Sequence, residues 1–102
     1  MIGNTKIICL CGSTRFKAEF MQIAKELTCQ GIIVLAPFHF RHTGDAITLE
    51  LEELLSQLHF RKIDLADELL ILNVGGYIGE HLKAEIAYAE RTGKPFRYLE
   101  EL

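Results

Sequence analysis

Hydrophobic residues along the chain form short continuous runs that alternate with runs of helical spacing. The continuous runs are rich in β-branched residues, which predicts buried strands over residues 6–10, 32–36, 69–74 and 96–99. Between them, apolar residues recur three and four positions apart, which predicts helices over about 13–30, 47–63 and 80–92. Ser13 is predicted to cap the first helix, and Gly31 and Gly93 are predicted to end the first and third.

This alternation of strands and helices predicts an α/β fold. A parallel sheet of about four strands would have right-handed crossovers and helices on both faces, as a small three-layer sandwich. The 102 residues suit a single domain over residues 1–102. In such sheets, ligands bind beyond the carboxyl ends of the strands, where the strand order reverses. We therefore expect the site at the loops 11–15, 37–46 and 74–80.

Composition excludes several classes of partner. With 11 basic and 14 acidic residues, the net charge of −3 offers no footprint for a nucleic-acid polymer or an anionic membrane. No apolar run approaches the roughly 20 residues of a membrane span, and the N-terminus lacks a signal-peptide layout. The odd set of Cys9, Cys11 and Cys29 is interpreted as reduced thiols rather than a disulfide framework. We expect a cytoplasmic protein.

Two loops carry candidate ligand-binding residues. Gly12 allows a tight turn, while Ser13 and Arg15 would present backbone N–H groups and positive charge to an anion; an ordinary capped turn is the alternative. The second loop has three glycines after a buried strand, at positions 75, 76 and 79. They indicate either close approach of the backbone to a ligand or a turn that requires positive φ.

Glu85 is the most informative single residue. It lies beside the inward apolar stripe of the third helix, about two turns from the helix N-terminus. Because an unpaired buried charge is costly, its carboxylate is either functional or paired with Lys83 or Arg91. Glu80, at the start of the same helix, would favourably oppose the helix dipole.

The histidines are open to more than one interpretation. His39 and His42 are three residues apart in a loop without a third ligand, so we predict neither a metal nor a cofactor. His39 and Phe40 could stack on a planar ring or simply cover the edge of the core. His59, on the second helix, either reaches the site from an inward face or lies on the surface, which its pattern favours. Asp64 and Asp67 precede the third strand at the opposite sheet edge and are interpreted as structural.

Several segments together resemble a known family. They are Cys11-Gly-Ser-Thr-Arg15, Ala66-Asp67-Glu-Leu-Leu-Ile-Leu-Asn73, Gly79-Glu-His-Leu-Lys-Ala-Glu85-Ile-Ala-Tyr-Ala89 and Gly93-Lys-Pro95. The chain resembles the nucleoside 2-deoxyribosyltransferase superfamily over nearly its whole length. Within it, the chain is most similar to the branch of 2′-deoxynucleoside 5′-phosphate N-hydrolases.

The resemblance implies a Rossmann-like fold and chemistry at an N-glycosidic bond. Glu85 matches the family glutamate that attacks C1′ of the sugar, as in retaining glycosidases. His59 stands where the family commonly has an aspartate, so it is a candidate general acid. Tyr77 and Glu80 replace small polar residues that are typical of the family. The ligand-binding residues that the resemblance and the loops indicate are Gly12, Ser13 and Arg15 at the 5′ end, Gly75, Gly76, Tyr77, Gly79 and Glu80 against the sugar, and His39 and Phe40 near the base.

Two functions are compatible with these residues. The first is cleavage or transfer of the N-glycosidic bond of a (deoxy)nucleoside or its 5′-monophosphate. The second is a non-catalytic nucleotide-binding module of the same fold, which the change at His59 and the shortness of the chain relative to the enzymes favour. In the family, a neighbouring subunit completes the site. That arrangement and the apolar helix face formed by Leu51, Leu54, Leu55 and Leu58 predict a homodimer or larger homo-oligomer.

Overall fold

The computed structural model describes residues 5–37 and 47–100, which form four strands, three α-helices and a short 3-10 turn. In chain order these are β1 (Ile7–Cys11), α1 (Lys17–Cys29), β2 (Ile33–Leu35), α2 (Leu49–Leu65), β3 (Glu68–Ile71), the 3-10 turn (Val74–Gly76), α3 (Glu80–Thr92) and β4 (Phe96–Tyr98). No helix in the described ranges is long and apolar enough to cross a membrane.

The four strands form one parallel sheet in the order β2-β1-β3-β4. Cys9 of β1 aligns with Leu35 of β2 on one side and Leu69 of β3 on the other, and Leu69 aligns with Phe96 of β4. The chain runs outward from β1 to β2 and then crosses back to β3, so the strand order reverses between β1 and β3. The predicted α/β fold with a four-stranded parallel sheet is confirmed.

Alternate residues of β1 face opposite sides of the sheet, as strand geometry requires. Ile8 and Leu10 are buried against α1, in a cluster that includes Phe20 and Leu27. On the other face, Cys9 and Cys11 pack in a second cluster with residues of α2 and α3, including Ile63, Leu82 and Ala89. The two clusters make the molecule a three-layer α/β/α sandwich with helices on both faces.

The start of α1 differs from the prediction that Ser13 caps it. Phe16 donates its backbone N–H to the carbonyl oxygen of Ser13 at 3.1 Å, which closes a separate turn before the helix. The side chain of Ser13 lies 3.4 Å from the backbone nitrogen of Arg15, inside that turn. The helix then begins at Lys17 without a side-chain cap, so Ser13 is not a helix cap. By contrast, the predicted bounds of α3 are confirmed, and it ends at Gly93 with a φ of 71°.

Asp67 and Lys94, which precede β3 and β4, stabilise the edge of the sheet opposite the predicted site. Asp67 accepts the backbone N–H of Ile7 at 2.7 Å. Lys94 donates its ammonium to the carbonyl oxygen of Ala66, where α2 ends. A cation at a helix C-terminus is favourable because the last carbonyls carry partial negative charge. These contacts confirm a structural role for Asp67.

Candidate active site

A cleft of about 660 Å³ opens at the carboxyl edge of the sheet, next to the switch point between β1 and β3. Its walls are the turn after β1, the end of β2 at Pro37, helix α2 and the first two turns of α3. Eight of the predicted site residues line it: Gly12, Ser13, Arg15, His59, Tyr77, Gly79, Glu80 and Glu85. The predicted residues His39 and Phe40, like His42, lie outside the described residues.

Glu85 and His59 meet at the inner end of this cleft. The Nε2 atom of His59 lies 3.1 Å from Oε1 of Glu85, and their side chains are only 8% and 15% exposed. Neither of the partners considered from the sequence pairs with Glu85, since Lys83 bonds Glu80 at 3.2 Å and Arg91 lies over the ring of Tyr88.

The surface interpretation of His59 is therefore wrong. His59 is four residues before Ile63, which is fully buried on the inner face of α2, and residues four apart share a helix face. That spacing was visible in the sequence and could have placed His59 inside.

The charge of Glu85 controls the protonation of His59. Burial by itself lowers the pKa of a histidine, because it disfavours the charged imidazolium. Here the hydrogen bond to Glu85 and the negative charge of its carboxylate together outweigh burial, so the pKa of His59 is raised from its ordinary value. Nε2 donates its proton to Glu85, whereas Nδ1 is buried without a hydrogen-bond partner among the described residues.

Two thiols lie directly beneath this pair. Cys9 and Cys11 are buried and free of disulfide bonds, which agrees with the predicted reduced thiols. The Sγ atom of Cys11 lies 3.5 Å from Nε2 of His59. The hydrogen bond between the two thiols, together with burial, raises the pKa of Cys11 well above its ordinary value. One donor atom from each of Cys9, Cys11 and His59 lies within 4.8 Å of the others, so these residues could hold a metal ion.

The mouth of the cleft is built from the turn after β1 and the glycine loop. A Cβ atom at Gly12 would lie 2.9 Å from the carbonyl oxygen of Leu72, so only glycine lets the turn lie this close to the end of β3. The guanidinium of Arg15 stacks on the ring of Tyr77, 3.9 Å from its centroid, and Phe16 contacts the same ring edge to face. A cation and an aromatic hydroxyl therefore flank the entrance.

Gly75 and Gly76 do not line the cleft. Their φ angles are 63° and 80°, and an added Cβ at either position would meet nothing within 4 Å. The turn requires glycine for its backbone conformation, so of the two interpretations of these glycines, the one based on positive φ is correct. The prediction that they lie against a ligand is not supported by their position. Gly79 is different, since its Cβ would lie 3.0 Å from the hydroxyl of Tyr77.

Helix α2 contributes more of the cleft than the sequence indicated. Leu55 and Leu58, which the sequence predicts to be part of an oligomer interface, line the cleft together with Ser56 and Lys62. Lys62 also donates its ammonium to the carbonyl oxygen of Ala36 at 2.8 Å, which joins α2 to the end of β2. The feature of the sequence that could have indicated this groove is the presence of His59 and Lys62 among the leucines of α2.

No protein-family model matches this chain, and a search of curated proteins found no significant relative.

Proposed function

We propose that the protein cleaves or transfers the N-glycosidic bond of a (deoxy)nucleoside or nucleoside 5′-monophosphate, with Glu85 as the nucleophile. One observation carries this proposal: the carboxylate of Glu85 lies in a cleft at the strand-order reversal, held through Oε1 by a buried imidazole. A fixed, partly buried carboxylate at the ligand end of an α/β sheet suits covalent catalysis at a sugar carbon. The family resemblance of the sequence supports the same choice.

The chemistry proceeds in two steps. In the first, a carboxylate oxygen of Glu85 bonds to C1′ while the C1′–N bond breaks, and its electron pair leaves with the base. The departing base takes up a proton, from His59 or from solvent. In the second step, water or another base attacks C1′, the bond between C1′ and Glu85 breaks, and the attacking group gives up a proton to His59 or to solvent. Water gives hydrolysis, and a second base gives transfer.

His59 serves first as a positioning residue in this scheme. Its Nε2 proton is donated to Oε1, which fixes the orientation of the carboxylate before the substrate arrives. The general-acid role requires the same proton to reach the leaving base and stays a prediction. Replacing His59 by Gln keeps a side-chain amide for the hydrogen bond, whereas Ala removes it. We expect about a 10- to 100-fold fall in kcat for Ala, with partial recovery for Gln.

The opposite end of the cleft suits the 5′ end of the ligand. Ser13 and Arg15 line the mouth, and the guanidinium of Arg15 is held by the ring of Tyr77 rather than by a carboxylate in the contacts described. Arg15 is exposed and can turn toward a phosphate, and guanidinium–phosphate hydrogen bonds are strong and directional. A leucine-lined wall from α2 would cover the flat apolar face of the ligand.

The decisive experiment measures base release by chromatography. The protein is incubated with ribo- and deoxynucleosides and their 5′-monophosphates, with and without an acceptor base. Wild-type protein should release base, and Glu85→Gln should lower the rate at least about 10³-fold, because an amide cannot form the glycosyl ester.

Glu90→Gln is the matched control for that variant. Glu90 is an exposed glutamate of α3 that does not line the cleft, so its substitution should leave the rate unchanged. Equal rates for wild type and Glu85→Gln would disprove the role of Glu85.

The alternative is a nucleotide-binding module without turnover. The hydrogen bond between His59 and Glu85 favours it, because a carboxylate oxygen engaged by a proton donor is a weaker nucleophile. Under this alternative, a 5′-monophosphate raises the melting temperature of both wild type and Glu85→Gln, and neither releases base. Absence of any thermal shift across the panel would count against both functions.

Two further properties accompany the proposal. A homodimer or larger homo-oligomer fits the apolar residues that α2 exposes outside the cleft, among them Leu49 and Leu54. A cytoplasmic location fits three cysteines of which none is paired.

A further inference from the structure

The cluster beneath the Glu85–His59 pair has the composition of a soft-metal site. Its two thiols come from alternate positions of β1, and its imidazole comes from α2, 48 residues after Cys11. All three side chains are buried, and they point at a common position between the sheet and α2. We propose that Cys9, Cys11 and His59 bind a Zn²⁺ ion.

The distances suit tetrahedral zinc. Zn–S bonds of about 2.3 Å and Zn–N bonds of about 2.0–2.1 Å place a sulfur and a nitrogen ligand roughly 3.5 Å apart. The observed separation of Cys11 Sγ and His59 Nε2 is 3.5 Å. All three donor atoms lie within 4.8 Å of one another, so closing around an ion requires side-chain shifts of about 1 Å or less.

Glu85 completes the arrangement on the side of the cleft. Its Oε1 atom lies 3.1 Å from Nε2 of His59, near the roughly 3.3 Å that separates oxygen and nitrogen ligands of one zinc ion. Glu85 and His59 line the cleft, whereas Cys9 and Cys11 are buried behind them, so an ion would approach the cluster from this side. The carboxylate of Glu85 is not among the donor atoms that lie within 4.8 Å of one another, so the fourth ligand is a water molecule beside Glu85, or Glu85 itself after its side chain rotates.

Charge and softness select the ion. Two thiolates, one imidazole and a carboxylate favour Zn²⁺ over Mg²⁺ or Ca²⁺, which prefer oxygen ligands only. Each thiol loses its proton on binding, so two thiolate charges balance one divalent cation. Nε2 of His59 also gives up the proton that it donates to Glu85, because only an unprotonated ring nitrogen binds zinc, and the neutral imidazole then carries its proton on Nδ1.

The spacing of the three ligands along the sequence did not indicate this site. Cys9-x-Cys11 has no second pair of ligands at zinc-finger spacing, so the sequence alone indicates reduced thiols rather than a zinc site. The third ligand comes from a helix distant in sequence, and only the crossover from β2 to β3 brings it over β1.

Cobalt titration of the reduced protein tests the site directly. Co²⁺ should bind with one-to-one stoichiometry, giving thiolate charge-transfer absorption and the visible bands of a tetrahedral ion, and Zn²⁺ should displace it. Zn²⁺ should also raise the melting temperature of the wild type. Cys9→Ser and Cys11→Ser should each lose charge-transfer intensity and weaken binding at least about tenfold, since even indirect partners of metal ligands contribute that much.

Cys29→Ser is the matched control, because Cys29 is exposed at the end of α1 and should not affect binding. Circular dichroism identifies any variant that fails to fold. If one thiol variant fails to fold, the other thiol variant and His59→Gln test the site, and both should lose the cobalt spectrum. A wild type without the one-to-one cobalt spectrum would overturn the proposal. Retention of that spectrum by both thiol variants would also overturn it, and so would loss of the spectrum in Cys29→Ser alone.

A consequence for activity rests on the proposed function. A zinc ion on His59 and Glu85 occupies the nucleophile and its positioning residue, so one equivalent of Zn²⁺ should abolish base release and a chelator should restore it. Cobalt binding without any base release would support the metal site and contradict the glycosidic function. Base release without cobalt binding would support the glycosidic function and contradict the metal site. Failure of the metal site and failure of the proposed function can therefore be distinguished.

Discussion

Two buried polar side chains at the carboxyl edge of the sheet differ in whether their polar atoms have hydrogen-bond partners. The amide of Asn73 donates to the carbonyl oxygen of Glu100 and accepts its backbone N–H, both at 2.9 Å. His59 is nearly as deeply buried, yet its Nδ1 has no partner in the described part of the chain. Buried polar groups are usually satisfied, and the exceptions concentrate at functional sites. Asn73 therefore stabilises the fold, while His59 belongs to the site.

Gly12 provides a prediction at the same scale. Gly12→Ala places a methyl group 2.9 Å from the carbonyl oxygen of Leu72, so the turn must move away from the end of β3. We expect the free energy of unfolding in urea to fall by about 2 kcal/mol, the usual cost of overpacking. Gly31→Ala is the comparison, because it has a φ of 83° and open space around its Cβ. It should cost only about 1 kcal/mol. Equal losses would show that the contact with Leu72 is unimportant.

At the scale of elements, the site depends on how α2 and α3 pack side by side. His59 comes from α2 and Glu85 from α3, so their contact at 3.1 Å holds only while the two helices keep their register. A second contact lies about one turn further along each helix, where Tyr88 donates its hydroxyl to Asp64 at 2.5 Å. The rings of Phe60 and Tyr88 pack edge to face beside it. These contacts fix the helix pair from its outer side.

The Asp64–Tyr88 hydrogen bond predicts a specific pH dependence. It lowers the pKa of Asp64 from its ordinary value of 3.8 and raises that of Tyr88 from 10.0. A lowered acid pKa gives stability that is present above pH 3.8 and lost as the pH falls through the folded-state pKa. The raised pKa of Tyr88 gives stability that is lost above pH 10.0. The contribution is therefore complete between these limits.

Tyr88→Phe tests this dependence and preserves the ring contact with Phe60. Its urea midpoint should lie below that of the wild type at pH 7, and the difference should shrink as the pH falls below 3.8 and Asp64 becomes protonated in both proteins. Tyr98→Phe, on β4, should not change the pH profile relative to the wild type. A constant difference between wild type and Tyr88→Phe at all pH values would contradict the assignment.

At the scale of the whole molecule, one side of α2 faces the cleft and another is exposed. Leu55 and Leu58 line the cleft, whereas Leu54 is half exposed and Leu49 is largely exposed outside it. A cleft with an apolar wall and an adjoining apolar surface is suited to completion by a second copy of the chain.

Light scattering tests this prediction. The wild type should have at least twice the 11.6 kDa mass of one chain, and Leu54→Glu should shift it toward the monomer because a charge at an apolar interface is costly. Met21→Glu, at an exposed position of α1, is the control and should leave the mass unchanged. A monomeric wild type would disprove the oligomer.

Local patterns in the sequence specify the order of helices and strands and the edge of the sheet at which the candidate site lies. The parallel sheet, the bounds of α3 and the loops at the cleft follow from local periodicity, since each helix or strand buries a face that its own residues specify. Glu85 was identified for the same reason, as a charge beside an apolar stripe.

Which side chains meet depends on how the helices and strands pack together. The spacing of apolar residues indicates that a residue faces the core. The connections between the parallel strands determine which other side chains it contacts there. The sheet order puts α2 and α3 on one face of β1, so Glu85 contacts His59 rather than its helix neighbours Lys83 or Arg91. The same packing brings Cys9 and Cys11 within reach of His59. Contacts between residues tens of positions apart form only when buried faces pack together, and no local pattern contains that information.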